Sequence, residues 1–133
     1  MKRLLLFLLF FAPFYNNLFA QSDSIYQACI KKADSLYYNK EFLKSAETFS
    51  AAFMYNNDRG LVRDRYNAAC SWALSNNKDS AFYQLYRIAE KGNFKDYLNL
   101  SSDKDLQSLH EDERWKILVE KVKSNLEKNN RKR

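Results

Sequence analysis

The sequence predicts an all-α fold in which consecutive pairs of antiparallel helices are followed by a C-terminal capping helix. The chain of 133 residues is 46% apolar and 16% aromatic, which is enough to bury a core and too much for a disordered chain. A length of 133 residues predicts one domain. Only two glycines and one proline occur, so helix-breaking residues are rare. Apolar residues also recur at helical spacing, and one pattern repeats along the chain.

Residues 1–20 are typical of a secretory signal peptide. Lys2 and Arg3 precede an unbroken apolar run, 4–12, and the small residue Ala20 marks the expected cleavage site. The run is shorter than the roughly 20 residues that span a membrane, and no later stretch approaches that length. We therefore expect an exported protein, periplasmic or extracellular, with no stable membrane insertion after cleavage. Retention of the leader as an anchor is the alternative.

The first helical pair is predicted at about residues 23–56, with a break near Asn39. One face of its first helix is predicted to comprise Ile25, Cys29, Ala33 and Leu36. The second helix has the clearest periodicity in the chain, with a stripe formed by Phe42, Ser45, Ala46, Phe49, Ala52 and Phe53. The small residues in this stripe would let a neighbouring helix approach closely.

The second helical pair is predicted at about residues 60–91, and the polar turn Asn76-Asn77 separates its two helices. Gly92 is expected to end the pair in the left-handed conformation that glycine accepts after a helix. Residues 94–126 are predicted to form the cap. In the cap, Ser102 has the spacing of a capping box, and the acidic residues 111–113 precede the final helix.

The charge balance is mildly basic, with 22 lysines and arginines against 16 aspartates and glutamates. Two of the basic residues lie in the predicted leader, and others lie in residues 127–133, which we predict to be a disordered basic tail. Basic tails bind nucleic acid in some proteins, but export argues against a nucleic-acid partner here.

The sequence offers little for catalysis or for binding a cofactor. Cys29 and Cys70 are either free or bridged, since both lie in apolar helical patterns of an exported chain. His110 is the only histidine, and no cysteine and histidine cluster with zinc-ligand spacing occurs. No glycine-rich phosphate loop is present either. We therefore expect no enzyme activity, no metal and no cofactor.

The two helical pairs share a pattern at a fixed distance. Five pairs of positions lie 36 residues apart: Ala33 and Ala69, Leu36 and Trp72, Ser45 and Ala81, Phe49 and Leu85, and Ala52 and Ile88. In these small and large positions the chain resembles the tetratricopeptide repeat (TPR) family, whose helix pairs repeat every 34 residues or so. Residues 66–122 are also similar to the C-terminal end of TPR groups in exported bacterial proteins, through the stretches YNAAC, KDSAF, KGNFKDY and DERW.

The resemblance implies a short right-handed stack of helix hairpins whose first helices line a concave groove. By position, the groove residues are Gln27, Ile30, Asp34, Tyr37, Arg63, Tyr66, Asn67 and Cys70. Such a scaffold would be a non-catalytic module of the cell envelope that binds a peptide or a helix of an unknown protein partner. The alternative is a structural or assembly subunit of an envelope complex that uses its convex face or its cap.

Overall fold

The computed structural model describes the backbone of residues 12–132 and the side chains of residue 21 and residues 23–132. These residues form six α-helices and one 3₁₀ helix, and they contain no strand, so the predicted all-α class is confirmed. The elements are α1 (Ala12–Tyr38), α2 (Phe42–Tyr55), α3 (Val62–Leu74), α4 (Lys78–Glu90), α5 (Tyr97–Ser102), the 3₁₀ helix (Lys104–Leu109) and α6 (Glu113–Asn130). None of the described helices combines the length and the apolarity needed to cross a membrane.

Helix α1 extends further toward the N-terminus than the sequence predicted. The predicted leader lies outside the described residues as far as residue 11, and only the backbone is described for residues 12–20. That backbone is already helical at Ala12, whereas a start near residue 23 was expected. After Pro13 the helix contains neither glycine nor proline, so nothing interrupts its hydrogen bonds. Its packed portion begins at Tyr26, since residues 23–25 are exposed.

The buried face of α1 agrees with the predicted face at Ala33, which is fully buried, and differs from it at Ile25. Tyr26 and Ile30 are buried, whereas Ile25, which was predicted to be buried, is 38% exposed. The Tyr26 hydroxyl donates to Oδ2 of Asp64 at 2.5 Å and accepts from the backbone N–H of Leu61 at 3.1 Å. Because the fold supplies both of these partners, the tyrosine is buried at no loss of hydrogen bonding and the isoleucine is left outside.

The predicted stripe of α2 is confirmed at Ser45, Ala46, Phe49, Ala52 and Phe53, which are buried, whereas Phe42 is half-buried. Ser45 also ties three helices together. Its hydroxyl donates to the carbonyl oxygen of Ala33 in α1 at 2.8 Å and lies 3.0 Å from the hydroxyl of Ser71 in α3. Small side chains at these positions let the three backbones approach closely enough for the hydroxyls to meet.

Consecutive helices pack against each other from α1 through α4, and the 3₁₀ helix and α6 close the far end by packing on α3 and α4, respectively. The buried apolar residues form two clusters. The N-terminal cluster comprises Tyr26, Ile30, Ala33, Phe49, Ala52, Phe53 and Ala68. The C-terminal cluster joins α3 and α4 to the cap, whose Leu100, Leu106, Leu109 and Val122 are fully buried. The cap therefore covers apolar surface that the two helical pairs leave open.

Asparagine supplies the left-handed backbone at three of the five such positions in the described part of the chain, and Lys40 and Asp58 supply the other two. Asn57, Asn76 and Asn93 have φ angles of 54°, 63° and 51°, a conformation that asparagine tolerates better than most residues. The prediction of a left-handed Gly92 is wrong, because neither glycine has a positive φ. A Cβ on Gly92 would lie 2.8 Å from the carbonyl oxygen of Ile88, so glycine is needed there for close approach.

Helix α6 continues to Asn130, although the sequence predicted an end near residue 126 and a disordered tail after it. Asn125 explains the extension. Its side chain is 5% exposed, and its Nδ2 donates to the carbonyl oxygens of Ala89 at 2.7 Å and Phe94 at 2.9 Å. These bonds tie the second half of α6 to the end of α4 and satisfy carbonyls that a helix terminus leaves without a partner.

Candidate functional site

A pocket of about 200 Å³ opens where α1, α3 and the start of the 3₁₀ helix meet. Its lining comprises Asp34, Tyr37, Tyr38, Tyr66, Asn67, Cys70, Asp103 and Asp105. We call it the acidic pocket. The first helices of the two pairs supply six of these side chains, and the segment after α5 supplies the two remaining aspartates.

Most of the groove residues predicted from the sequence meet in this pocket, namely Asp34, Tyr37, Tyr66, Asn67 and Cys70. Ile30 does not, because it is 3% exposed and belongs to the N-terminal cluster, so its assignment to the groove is wrong. Gln27 lines a separate surface hollow beside Leu61. The exposed Arg63 pairs with Asp64 at 2.9 Å and does not line the pocket.

Two tyrosines hold the two aspartates of the cap in place. The hydroxyl of Tyr66 donates to Oδ2 of Asp103 at 2.8 Å, and the hydroxyl of Tyr37 donates to Oδ2 of Asp105. The thiol of Cys70 also donates to Oδ2 of Asp103, at 3.8 Å. These contacts connect the first helices of both pairs to the cap, so the pocket exists only when all three parts of the chain are assembled.

Three lining residues were not predicted as site residues: Tyr38, Asp103 and Asp105. The sequence predicted only a capping box led by Ser102 in the segment that contains the two aspartates. In the structure Asp103 caps the 3₁₀ helix, because its Oδ1 accepts from the backbone N–H of Asp105 at 3.0 Å. The other oxygen of the same carboxylate faces Tyr66. One aspartate thus serves both the cap and the pocket, and only the tertiary contact distinguishes the second role.

The two tyrosine hydroxyls and the cysteine thiol of the pocket keep their protons at neutral pH. Burial raises the pKa of the Tyr66 and Tyr37 hydroxyls, and the hydrogen bond of each to an aspartate raises it further. Burial likewise raises the pKa of the Cys70 thiol, and the charge of Asp103 adds to the rise. Burial also raises the pKa of Asp34. The tyrosines and the thiol therefore act as hydrogen-bond donors and not as bases or nucleophiles.

Three atoms in the pocket have the spacing of metal ligands, but Cys70 and Asp103 are engaged in other bonds. The Cys70 sulfur and carboxylate oxygens of Asp103 and Asp105 lie within 4.8 Å of one another. However, both oxygens of Asp103 already accept hydrogen bonds from the protein, and the thiol is held protonated. A thiol must lose its proton to bind a metal. Cys70 and Cys29 are both free and form no disulfide.

None of the described residues that line the acidic pocket is lysine, arginine or histidine, although the charge of the exposed Arg63, outside the lining, acts on Asp34. Three aspartates with no lining cation produce a negative potential that favours a positively charged group.

No protein-family model, no curated protein and no solved structure matches this chain. The chemistry of the pocket is therefore the basis for assigning it a function.

Proposed function

We propose that the chain is a non-catalytic, TPR-like module of the cell envelope that binds a peptide or a helix of another protein in its concave groove. In this proposal the helix pairs form a short right-handed stack, and the first helices α1 and α3 line the groove. The single observation that carries the proposal is the acidic pocket, because it gathers predicted groove residues from both first helices at one open site.

The charge of the pocket narrows the chemistry of the partner. Asp34, Asp103 and Asp105 face a cavity whose other described lining residues are tyrosines, an asparagine and a cysteine. A lysine or arginine side chain of the partner would offset the aspartates, while the tyrosine rings pack against its aliphatic or guanidinium part. The partner segment is therefore expected to be basic.

The protonation states of the pocket favour binding over catalysis. A nucleophile must be activated by a nearby base or a lowered pKa, and burial moves the pKa of Cys70 the other way. His110 lies outside the pocket, where its ring stacks on Trp115 at 4.3 Å. These features support a module that recognises a partner without changing it.

Binding of a basic peptide library, measured by fluorescence anisotropy on the purified protein, tests the proposal. A double variant, Asp34→Asn with Asp105→Asn, removes two charges and keeps an acceptor oxygen at each position. We expect it to weaken binding about tenfold or more, which corresponds to roughly 1.4 kcal/mol. The matched control is Glu47→Gln with Glu120→Gln, which makes the same charge change at exposed positions outside the pocket.

The control double variant is expected to bind as the unaltered protein does. The proposal fails if no basic peptide binds, or if the two double variants lose the same affinity, since attraction to the net charge would then account for the binding.

A structural or assembly role is the second candidate, and one observation favours it. A hollow of about 450 Å³ on the side of the second helices, α2 and α4, is lined by Phe53, Trp72 and two exposed apolar residues, Met54 at 68% and Tyr83 at 52%. An assembly subunit would lose its complex on Met54→Ser with Tyr83→Ser and keep it on the pocket substitutions. Co-purification from the envelope fraction with each double variant separates the two roles.

A further inference from the structure

A second charged site lies where the turn after α2 and the turn after α4 come together. A crevice of about 250 Å³ opens there, lined by four cations, Arg59, Arg65, Arg87 and Lys91, with a single carboxylate, Asp58. We call it the cationic crevice. It shares no lining residue with the acidic pocket, and its charge has the opposite sign.

The one carboxylate in the crevice is fully engaged by two of the arginines. Oδ1 of Asp58 lies 3.0 Å from a guanidinium nitrogen of Arg65, and Oδ2 lies 2.5 Å from one of Arg87. Arg65 is 3% exposed, and it also donates to Oε1 of Gln84 at 2.7 Å and to the carbonyl oxygen of Asp58 at 2.8 Å. Asp58 and Arg65 thus form a fixed frame, because their polar atoms are held by several bonds.

The remaining cations have no partner of opposite charge. Arg59 and Lys91 are exposed, and no carboxylate of the described residues lies within 4.0 Å of either. Arg87 is 27% exposed, so part of its guanidinium faces the crevice although it also pairs with Asp58. Four cations around one carboxylate leave an excess of positive charge. Because the site is concave, the positive potential is concentrated there and attracts an anion.

Two glycines allow the turns of the crevice to pack closely on the residues beneath them. Gly60 and Gly92 are the only glycines in the chain, and both line this site. A Cβ on Gly60 would lie 2.6 Å from the Phe53 ring and 3.3 Å from Nε of Arg65. The glycine therefore lets the turn lie directly over the buried guanidinium.

We propose that the cationic crevice binds a phosphate group, held by Arg59, Arg87 and Lys91 above the frame of Arg65 and Asp58. A phosphate dianion offsets two of the three excess positive charges, and guanidinium groups donate to its oxygens in pairs while the lysine adds a mobile ammonium. Two sources present this group: a soluble phosphate compound and the headgroup of a membrane lipid. The proposal does not depend on the function of the acidic pocket.

Isothermal titration calorimetry of the full chain with inorganic phosphate, against chloride at matched ionic strength, tests binding of the free anion. The double variant Arg59→Gln with Lys91→Gln removes two exposed charges that hold no other part of the fold. We expect it to weaken phosphate binding tenfold or more. The matched control is Lys31→Gln with Lys116→Gln, which removes two exposed charges outside the crevice and is expected to bind phosphate unchanged.

Sedimentation with vesicles distinguishes the two sources. One set of vesicles contains phosphatidylcholine alone, and the other contains equal parts of phosphatidylcholine and phosphatidic acid. Sedimentation that requires phosphatidic acid, is competed by inorganic phosphate and is lost only in the crevice variant identifies a lipid headgroup. Calorimetric binding without sedimentation identifies a soluble phosphate. The proposal is overturned if neither probe binds, or if the control variant loses as much binding as the crevice variant.

Discussion

Replacing Asn125 with alanine is expected to destabilise the fold by about 2 to 3 kcal/mol. The substitution removes two short hydrogen bonds, to the carbonyl oxygens of Ala89 and Phe94, from a side chain that is 5% exposed. A buried hydrogen bond contributes about 0.5 to 1.5 kcal/mol net, and leaving its acceptor without a partner adds to the loss. For a domain of this size, the loss corresponds to a fall in Tm of about 10 °C.

Urea unfolding followed by far-ultraviolet circular dichroism measures the change in the free energy of unfolding. Asn130→Ala is the matched control, because Asn130 lies in the same helix and is exposed, so its loss is expected to be small. Asn125→Leu separates hydrogen bonding from packing, since leucine fills the space without a donor. If Asn125→Leu is as stable as the unaltered protein, the two hydrogen bonds do not anchor α6 and the explanation of its length is wrong.

Three further perturbations test particular contacts. Gly92→Ala is expected to cost about 1 to 3 kcal/mol in urea unfolding, because the new Cβ meets the Ile88 carbonyl oxygen. Burial raises the pKa of Tyr26 from 10.0 to about 12, so the unfolded chain loses this proton first. Stability should therefore fall as the pH rises through that interval, and less so in Tyr26→Phe. Iodoacetamide should modify Cys29 before Cys70 in the folded protein, since Cys70 is 5% exposed and its thiol pKa is raised. In urea the two cysteines should react at equal rates. Mass spectrometry measures both rates.

The helix pairs could be predicted from the sequence because their signals are local. The stripe of α2 repeats at helical spacing, and polar turns such as Asn76-Asn77 separate the runs. Each of these signals depends on residues within a few positions of one another. The positions of α2, α3 and α4 therefore agree with the prediction to within a few residues.

The face of α1 could not be predicted in the same way. Apolarity predicts that Ile25 is buried and Tyr26 is exposed. The opposite is found, because Asp64, which lies 38 residues away, accepts a hydrogen bond from the tyrosine hydroxyl. A periodicity argument considers only the apolar side chains of one helix, so it cannot predict the effect of a buried acceptor on another helix. Ile30 was assigned to the groove by its position in the TPR resemblance, and that assignment has no information about the burial of this side chain, which is 3% exposed.

The acidic pocket was predicted in part for a similar reason. The pocket residues of α1 and α3 were predicted from their positions in the 36-residue pattern. Asp103 lies 37 residues from Tyr66, and Asp105 lies 68 residues from Tyr37, so neither contact is visible in a local pattern. A D-x-D spacing before a short helix fits capping equally well. Only the docking of the 3₁₀ helix on α3 turns these aspartates toward the tyrosines.

The cap links the stability of this chain to its binding chemistry. Leu106 and Leu109 of the 3₁₀ helix are fully buried against the helical pairs and form part of the C-terminal cluster. The same segment begins with Asp103 and Asp105, which complete the acidic pocket. Truncating the cap would therefore remove part of the core and part of the pocket together. A loss of binding after truncation would not show whether the pocket itself contacts the partner. Substitutions that keep shape and change only charge, such as Asp105→Asn, are the ones that separate recognition from folding. Conversely, a ligand in the pocket would contact the cap and both first helices at once. It should therefore raise the free energy of unfolding of all three parts together.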